Sequence, residues 1–407
     1  MELVLLRHAR PLLADPPLSP GNVVDVLLAG GSIVALGAHL DTGTLPVQER
    51  DLEGRFVFPG LVDGHVHFLG AAGDEGFSSK TPEIFLSDFL RGGVTTAVGC
   101  LGFGRGNESL PHLWIKTQTL ASEGLSTHMY TGNFRTPSPS LTGSPAEDIV
   151  LVPQVRGIKI SVADSCSSHP SVEEFARLAS ESYIAGLQSG KPGMLHVHVG
   201  HHGDPYVFLS AVQERAGIPW DRLIPTHCNW SADLVEGATA YARKGGVVDC
   251  STILDTARGS KTSVKAGRAV RRMLDGGVPR SHITLSTDGN VGMPIRNAAG
   301  EQTGLYLERV SSLWEELRDL IRDGMPPEEA VALGSRHPAQ RLGLFPRKGC
   351  LRVGADADLV VVGENWEIED TYLGGRLGLS QGEPVLRSLF ETDVLADGRR
   401  EYATWKR

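Results

Sequence analysis

The 407-residue chain has few cysteines, no long uninterrupted apolar run and no cluster of basic residues. Its five cysteines, Cys100, Cys166, Cys228, Cys250 and Cys350, are odd in number, scattered and without a CxxC pair. Such usage excludes a disulfide framework and predicts reduced thiols. A formal charge of -9 without any Lys/Arg-rich run excludes a nucleic-acid footprint, which needs clustered cations. The most apolar early stretch, VVDVLLAGGSIVAL, is broken by Asp25 and by Gly30-Gly31. Two glycines between alternating apolar runs predict a hairpin, not a membrane span. No secretory pattern precedes it, because Arg7, His8 and Arg10 lie inside the first apolar segment. The expected site of action is cytoplasmic, with neither nucleic acid nor membrane as partner. Low-complexity segments and short tandem repeats are also missing.

What is present divides into three stretches. Residues 1–57 carry short strands and Gly/Pro-rich turns (LVLLRHA, DVLLAGG, SIVALGA, RFVFPG), and residues 349–407 return to that style with ADADLVVVG and VLADGRREY. Two β-rich ends of like character predict one small sandwich built from both. Between them, residues 58–348 alternate apolar strand-like runs (VTTAVGCL, RGIKISVA, GMLHVHVG, DRLIPTHC, HITLSTDG) with helical stretches, the pattern of repeated βα units. That alternation predicts a parallel sheet, open or closed. Ser171 to Gly190 is a representative helix, with Ser171 as N-cap, Glu174 completing a capping box and Gly190 ending it.

The strand ends carry the chemistry. PGLVDGHVH places His65 and His67 two apart, and in a strand such residues face the same way. Further along, the ends of the strand-like runs hold Lys159 (GIKIS), His196 and His198 (LHVHVG), His227 (PTHCN) and Asp288 (LSTDGN). A lone HxH is more often a hydrogen-bonded pair than a metal site, and each other residue alone says less. A lysine inside an apolar strand says more, because a buried unpaired ammonium costs several kcal/mol. It must be paired, have its pKa depressed, or be chemically changed. Carbamate formation from carbon dioxide fits, since it turns a cation into a bridging anion. Two divalent ions such as zinc then share that bridge, with His65 and His67 on one, His198 and His227 on the other, and Asp288 beside the first.

PGLVDGHVH, GIKIS, the strand-end histidines and STDGN resemble the metal-dependent amidohydrolase superfamily. TPEIFLSDFLRGGVTTAVGCLG, KTQTLASEGLS, PSLTGS, SGKPG, LIPTH, ARKGG and LSTDGN are similar to the isoaspartyl (β-aspartyl) dipeptidases within it. The resemblance implies an α/β fold, a distorted TIM (β/α)8 barrel beside a β-sandwich formed by both termini. It also implies two Zn2+ bridged by carboxylated Lys159 and hydroxide, metal ligands His65, His67, Lys159, His198, His227 and Asp288, catalysis by Asp288, and a homo-oligomer. His196 has no counterpart among those ligands and is expected to be structural or to support one of them. The activity implied is hydrolysis of a C–N amide bond in a small molecule.

The substrate-holding residues of the dipeptidases are largely replaced. On an ungapped local alignment, two arginines that grip the substrate α-carboxylate fall at Cys166 and Trp230, and a carbonyl-polarising tyrosine at Phe134. A threonine falls at Phe103, a serine at Gly292, and a glutamate at Asp74 with Glu75 beside it. These positions, with Arg135 and Lys80 as new anion contacts, predict a less charged or cyclic amide as substrate. His201, His202 or the second metal is expected to take over the tyrosine's role. Four other readings compete: a true isoaspartyl dipeptidase, a one-metal heterocycle deaminase, which usually lacks the strand lysine, a non-enzymatic dihydropyrimidinase-like scaffold, and a histidine phosphatase, whose RHG glycine is absent from LVLLRHARP. GFGRG at Gly102 to Gly106 lacks the third glycine and the acid of a dinucleotide fingerprint.

Overall fold

The computed structural model describes residues 3–19, 21–71, 76–104, 106, 108–258, 260–297, 299–394 and 400–402. β1 (Leu3–Pro11) pairs antiparallel with β2 (Val24–Ala29), which returns through Gly30-Gly31 into β3 (Ser32–Gly37). Both glycines have positive φ, 56° and 82°, a turn backbone that a Cβ would strain. β4 (Gln48–Asp51) runs parallel to the start of β1, and β5 (Phe56–Pro59) parallel to its end.

The chain then enters the repeated units. β6 (Leu61–Val66), β7 (Val94–Gly99), β8 (Ser126–Gly132), β9 (Val155–Val162), β10 (Met194–Val199) and β11 (Leu223–Thr226) form one parallel sheet in chain order. β12 (Val248–Ser251) and β13 (Ile283–Ser286) form a parallel pair. Loops join the two pieces. Cys228 N donates to Asp249 O at 3.1 Å on one side, while His67 N donates to Gly289 O and Asp288 N to His65 O, both at 3.0 Å, on the other.

Helices alternate with the strands: α1 (Leu86–Arg91), α2 (Leu110–Glu123), α3 (Pro145–Leu151), α4 (Val172–Ser189), α5 (Pro205–Ala216), α6 (Ala232–Arg243), α7 (Ala266–Asp275) and α8 (Ser312–Arg322). The result is a distorted (β/α)8 barrel, distorted because backbone bonds from loops stand in for two stretches of strand ladder. α4 begins and ends as its sequence dictates, with the Ser171–Glu174 capping box formed and Gly190 left-handed at φ 66°. Between β13 and α8 the chain adds an antiparallel hairpin, β14 (Gly292–Arg296) with β15 (Gln302–Leu307), which the strand-and-helix alternation did not foretell.

After α9 (Pro327–Leu333) and α10 (Arg336–Arg341) the chain comes back to its own beginning. β16 (Leu359–Val362) pairs antiparallel with β5 in the register Leu359↔Pro59 to Val362↔Phe56. β17 (Ile368–Leu373), β18 (Arg376–Ser380) and β19 (Glu383–Pro384) extend the sheet to the order β19-β18-β17-β16-β5-β1-β2-β3. Leu6, Val26, Ile33 and Val57 from one end pack with Leu359, Val361 and Tyr372 from the other in a core of their own. Among the described residues, no helix is long and apolar enough to cross a membrane.

Candidate metal centre

Because β6 alternates, His65 and His67 leave it on one side, while Val66 between them joins the apolar core. Asp288 Oδ1 is 3.1 Å from Nε2 of each, and its Oδ2 is 4.0 Å from His227 Nε2. Lys159, on β9, is 0% exposed, and its Nζ lies 2.8 Å from His65 Nε2. On β10, His198 has its ring 4.6 Å from that of His227. Strand-end groups far apart in the chain thus meet in one place.

The second nitrogen of each ring fixes which lone pair faces inward. His65 Nδ1 is 3.4 Å from Thr226 Oγ1, His227 Nδ1 is 2.7 Å from Ser251 Oγ, and His198 Nε2 is 3.0 Å from Asp164 Oδ2. An imidazole that gives its proton to an oxygen on one nitrogen presents a lone pair on the other. With the ring proton on that outer nitrogen, His65 and His227 offer Nε2, and His198 offers Nδ1. His67 turns Nε2 toward Asp288, and its buried Nδ1 has no hydrogen-bond partner among the described residues.

The electrostatics follow from burial. His65 is pushed well below the ordinary histidine value, first by burial and then by Lys159. His227 and His198 are also lowered, again chiefly by burial. Neutral imidazole is the metal-binding form. His67 shifts the other way: burial lowers it, but Cys100 and the bond to Asp288 outweigh that. Burial lowers Lys159 and favours its neutral amine, while Asp288, raised by burial, is carried down to about 2 by His227, His67 and Lys159.

The backbone is strained at the same spot. His227, Asp288 and Asn290 have φ of 67°, 56° and 70°, and Ala163, after β9, has 55°. Such left-handed non-glycine residues persist where surroundings over-determine them. Here Asp63 accepts from Thr287 N at 3.1 Å and Thr287 Oγ1 at 2.5 Å, clamping the turn that carries Asp288. Asn290 Nδ2 donates to His67 O at 2.9 Å and Pro82 O at 2.8 Å.

The donor set fits divalent cations, with converging neutral imidazole nitrogens, a carboxylate and a buried amine. Among the described residues no carboxylate lies within ion-pair distance of Lys159, whose amine meets His65 Nε2 instead. A model of the amidohydrolase family matches residues 154–378, more than half of the chain. The chain belongs to the amidohydrolase family.

Among solved structures, this amidohydrolase is similar to the β-aspartyl dipeptidase of Fervidobacterium islandicum in complex with β-Asp-Leu. The two are 31% identical over 94% of this chain and 98% of the dipeptidase, with a TM-score of 0.83. That likeness makes it isoaspartyl dipeptidase-like. Dihydropyrimidinase from Brevibacillus agri shares the fold, with a TM-score of 0.67 at 17% identity over 95% of this chain and 97% of that one. N-acetylglucosamine-6-phosphate deacetylase of Bos taurus matches at 48% identity over 54 residues only, 13% of each chain.

Around the second half of the site the amidohydrolase presents aromatic surface. Phe134 is 4.5 Å from the His198 ring, 6.3 Å from Phe103, and 5.6 Å from Lys159 Nζ. Gly132, at φ 80°, lets this segment in, since a Cβ there would stand 2.6 Å from Lys159 O. Trp230 is 5.6 Å from His198 and from His227, and 4.9 Å from His201. Arg135 is half-buried, its Nε enclosed without a partner among the described residues. Lys80 gives its ammonium to Leu69 O at 2.6 Å and Thr81 O at 3.2 Å. Asp74 and Glu75 lie outside the described residues.

His196 sits one layer below, stacked on Tyr130 at 5.0 Å and edge-on to His65 at 4.7 Å. Three residues the strand-end reading passed over also matter. Asp164 follows β9 and holds His198, Cys100 follows β7 with Sγ 3.9 Å from His67 Nε2, and Asp249 accepts from Thr226, Thr284 and Ser286 beneath the site. Asp164 and Cys100 stand just past strand ends, the rule that found the histidines; Asp249 lies within β12 and carried no such mark.

Proposed function

We propose that this amidohydrolase uses water to cleave a C–N amide bond, with two divalent cations held at the strand ends and bridged by Lys159 as its carbamate. The observation that carries the reading is the fully buried Lys159 amine, 2.8 Å from His65 Nε2 among histidines and Asp288. As a bare ammonium it would cost several kcal/mol. As a carbamate it would instead bring negative charge to the cations. His65, His67 and Asp288 would hold one ion, His198 and His227 the other, and zinc suits so nitrogen-rich a set. The bound pair supplies an acidified water and a Lewis acid for the substrate carbonyl.

The chain's own residues do the rest. Asp288 takes the proton from the water and returns it to the departing amine, which leaves badly unprotonated. Its clamped turn, tied to Asp63 through Thr287, keeps the carboxyl between His65 and His67. Phe134, Phe103 and Trp230 exclude water beside His198 and favour an apolar or cyclic amide. A substrate carboxylate left without guanidinium partners there forfeits charge-assisted bonds of about 1.5–3 kcal/mol each.

The likeness to a dipeptidase in complex with β-Asp-Leu favours a second reading, isoaspartyl dipeptide hydrolysis. Steady-state kcat/KM values for β-Asp-Leu, neutral N-acyl amides and lactams decide between them. The aromatic wall predicts preference for the neutral amides; strong preference for β-Asp-Leu overturns that choice of substrate.

A further inference from the structure

We propose that Cys100 is a further ligand of the cation held by His65 and His67, a sulfur donor in a site otherwise built from nitrogen and oxygen. This deepens the metal-centre reading and rests on it. Cys100 comes directly after β7, and the parallel pairing of Val66 with Gly99 sets it level with His67 on the neighbouring strand. Cys100 N donates to Val66 O at 3.0 Å, which fixes the backbone there. Its Sγ is 3.9 Å from His67 Nε2, and that Sγ and one ring nitrogen each of His65 and His67 all lie within 4.8 Å of one another.

These distances are those of groups sharing one ion. With Zn–N near 2.0 Å and Zn–S near 2.3 Å, adjacent donors on one ion lie about 3.0–3.5 Å apart, whatever its coordination number. A movement of under about 1 Å closes the difference. Apart from His67, the sulfur meets Val66 O at 3.7 Å, a weak contact that a cation displaces readily. On binding, the S–H bond breaks, its proton passes to water, and the sulfur electron pair goes to the cation.

Three of the other cysteines meet different partners, and Cys166 stands with Asp164 and His198 rather than with His65 and His67. Cys166 Sγ donates to Asp164 Oδ1 at 3.0 Å, Cys228 Sγ to Pro225 O at 3.3 Å, and Cys350 Sγ to Pro346 O at 3.3 Å. A thiolate beside two imidazoles makes the first position softer than a nitrogen-and-oxygen site, and so favours zinc, cobalt or cadmium over magnesium and manganese.

Cobalt(II) loaded into the full-length protein tests this without an assay of turnover. Wild type is expected to show a sulfur-to-cobalt charge-transfer band in the near ultraviolet and a sulfur neighbour at about 2.3 Å by X-ray absorption. Cys100→Ser loses both and Cys350→Ser keeps both. Tight cobalt binding with d–d bands but no sulfur signal in wild type overturns the role of Cys100 and leaves the metal centre standing. So does a sulfur signal that survives in Cys100→Ser. No tight cobalt binding at all overturns the metal centre and the Cys100 ligand with it. The wild-type absorption measurement decides even if Cys100→Ser fails to fold.

Discussion

At the scale of single residues, the 3.0 Å contact between Asp164 and His198 Nε2 shows how one carboxylate sets a ligand. It accepts the Nε2 proton, so Nδ1 is left free to bind. Asp164→Asn puts a donor where the acceptor was and favours the wrong tautomer. The expected result is a drop of about 10- to 100-fold in affinity for one of two metal ions, read by metal titration; two equal and unchanged affinities contradict it. Asp288→Asn removes the proton carrier, and kcat on an accepted amide should fall by roughly 10²- to 10⁴-fold while circular dichroism stays native. That His65, His67, Lys159, His198, His227 and Asp288 gather in one place was readable because strand period and strand ends tell where such side chains point. Cys100 and Asp164 also stand just past strand ends but were not singled out, because what each does depends on a neighbour, His67 or His198, that the linear sequence does not place beside it.

At the scale of elements, α4 was legible to its caps because Ser171, Glu174 and Gly190 act locally. Ser171→Ala should cost about 1 kcal/mol in urea unfolding, since it frees Glu174 N at the helix start; an unchanged midpoint contradicts that role. The contact of α7 with α8 was not legible, and it carries a pH dependence. Glu316 on α8 accepts from Gly267 N at 2.6 Å. Burial pushes its carboxyl up to about 7 from the ordinary 4.5, against the pull of Gly267 and Lys265. The folded state keeps this proton longer than the unfolded chain. Its contribution is therefore full below about pH 4.5 and shrinks as pH rises through about 7. Glu316→Gln escapes that loss and should gain on wild type by up to about 3 kcal/mol between pH 5 and pH 8. Denaturation of the metal-free protein at both values checks this, and a gap independent of pH contradicts it. The breaks in the barrel ladder on either side of the β12–β13 pair were illegible for a similar reason, since they depend on bonds such as Cys228 N to Asp249 O between segments distant in sequence.

At the scale of the whole molecule, both ends of the chain meet in one sheet. Arg50 on β4 reaches Asp370 on β17 at 2.6 Å, and β5 pairs with β16. The like character of the two ends foretold that they would come together, though not the order of strands, which the register of β5 with β16 decides. The barrel in turn gathers its donors from strands spread over more than half the chain, so metal binding should hold the entire barrel together. Removal of metal by a chelator is expected to lower the unfolding temperature, by an amount corresponding to about 4 kcal/mol at a thousandfold excess of metal over Kd. The central claim is that Lys159, as a carbamate, joins two cations. Metal content of wild type and Lys159→Ala, each measured with and without a short carboxylic acid, tests it most directly. The account predicts close to two ions per wild-type chain, loss of metal and turnover in the variant, and recovery of both with the acid. A Lys159→Ala protein that keeps two ions and full turnover without the acid would contradict it.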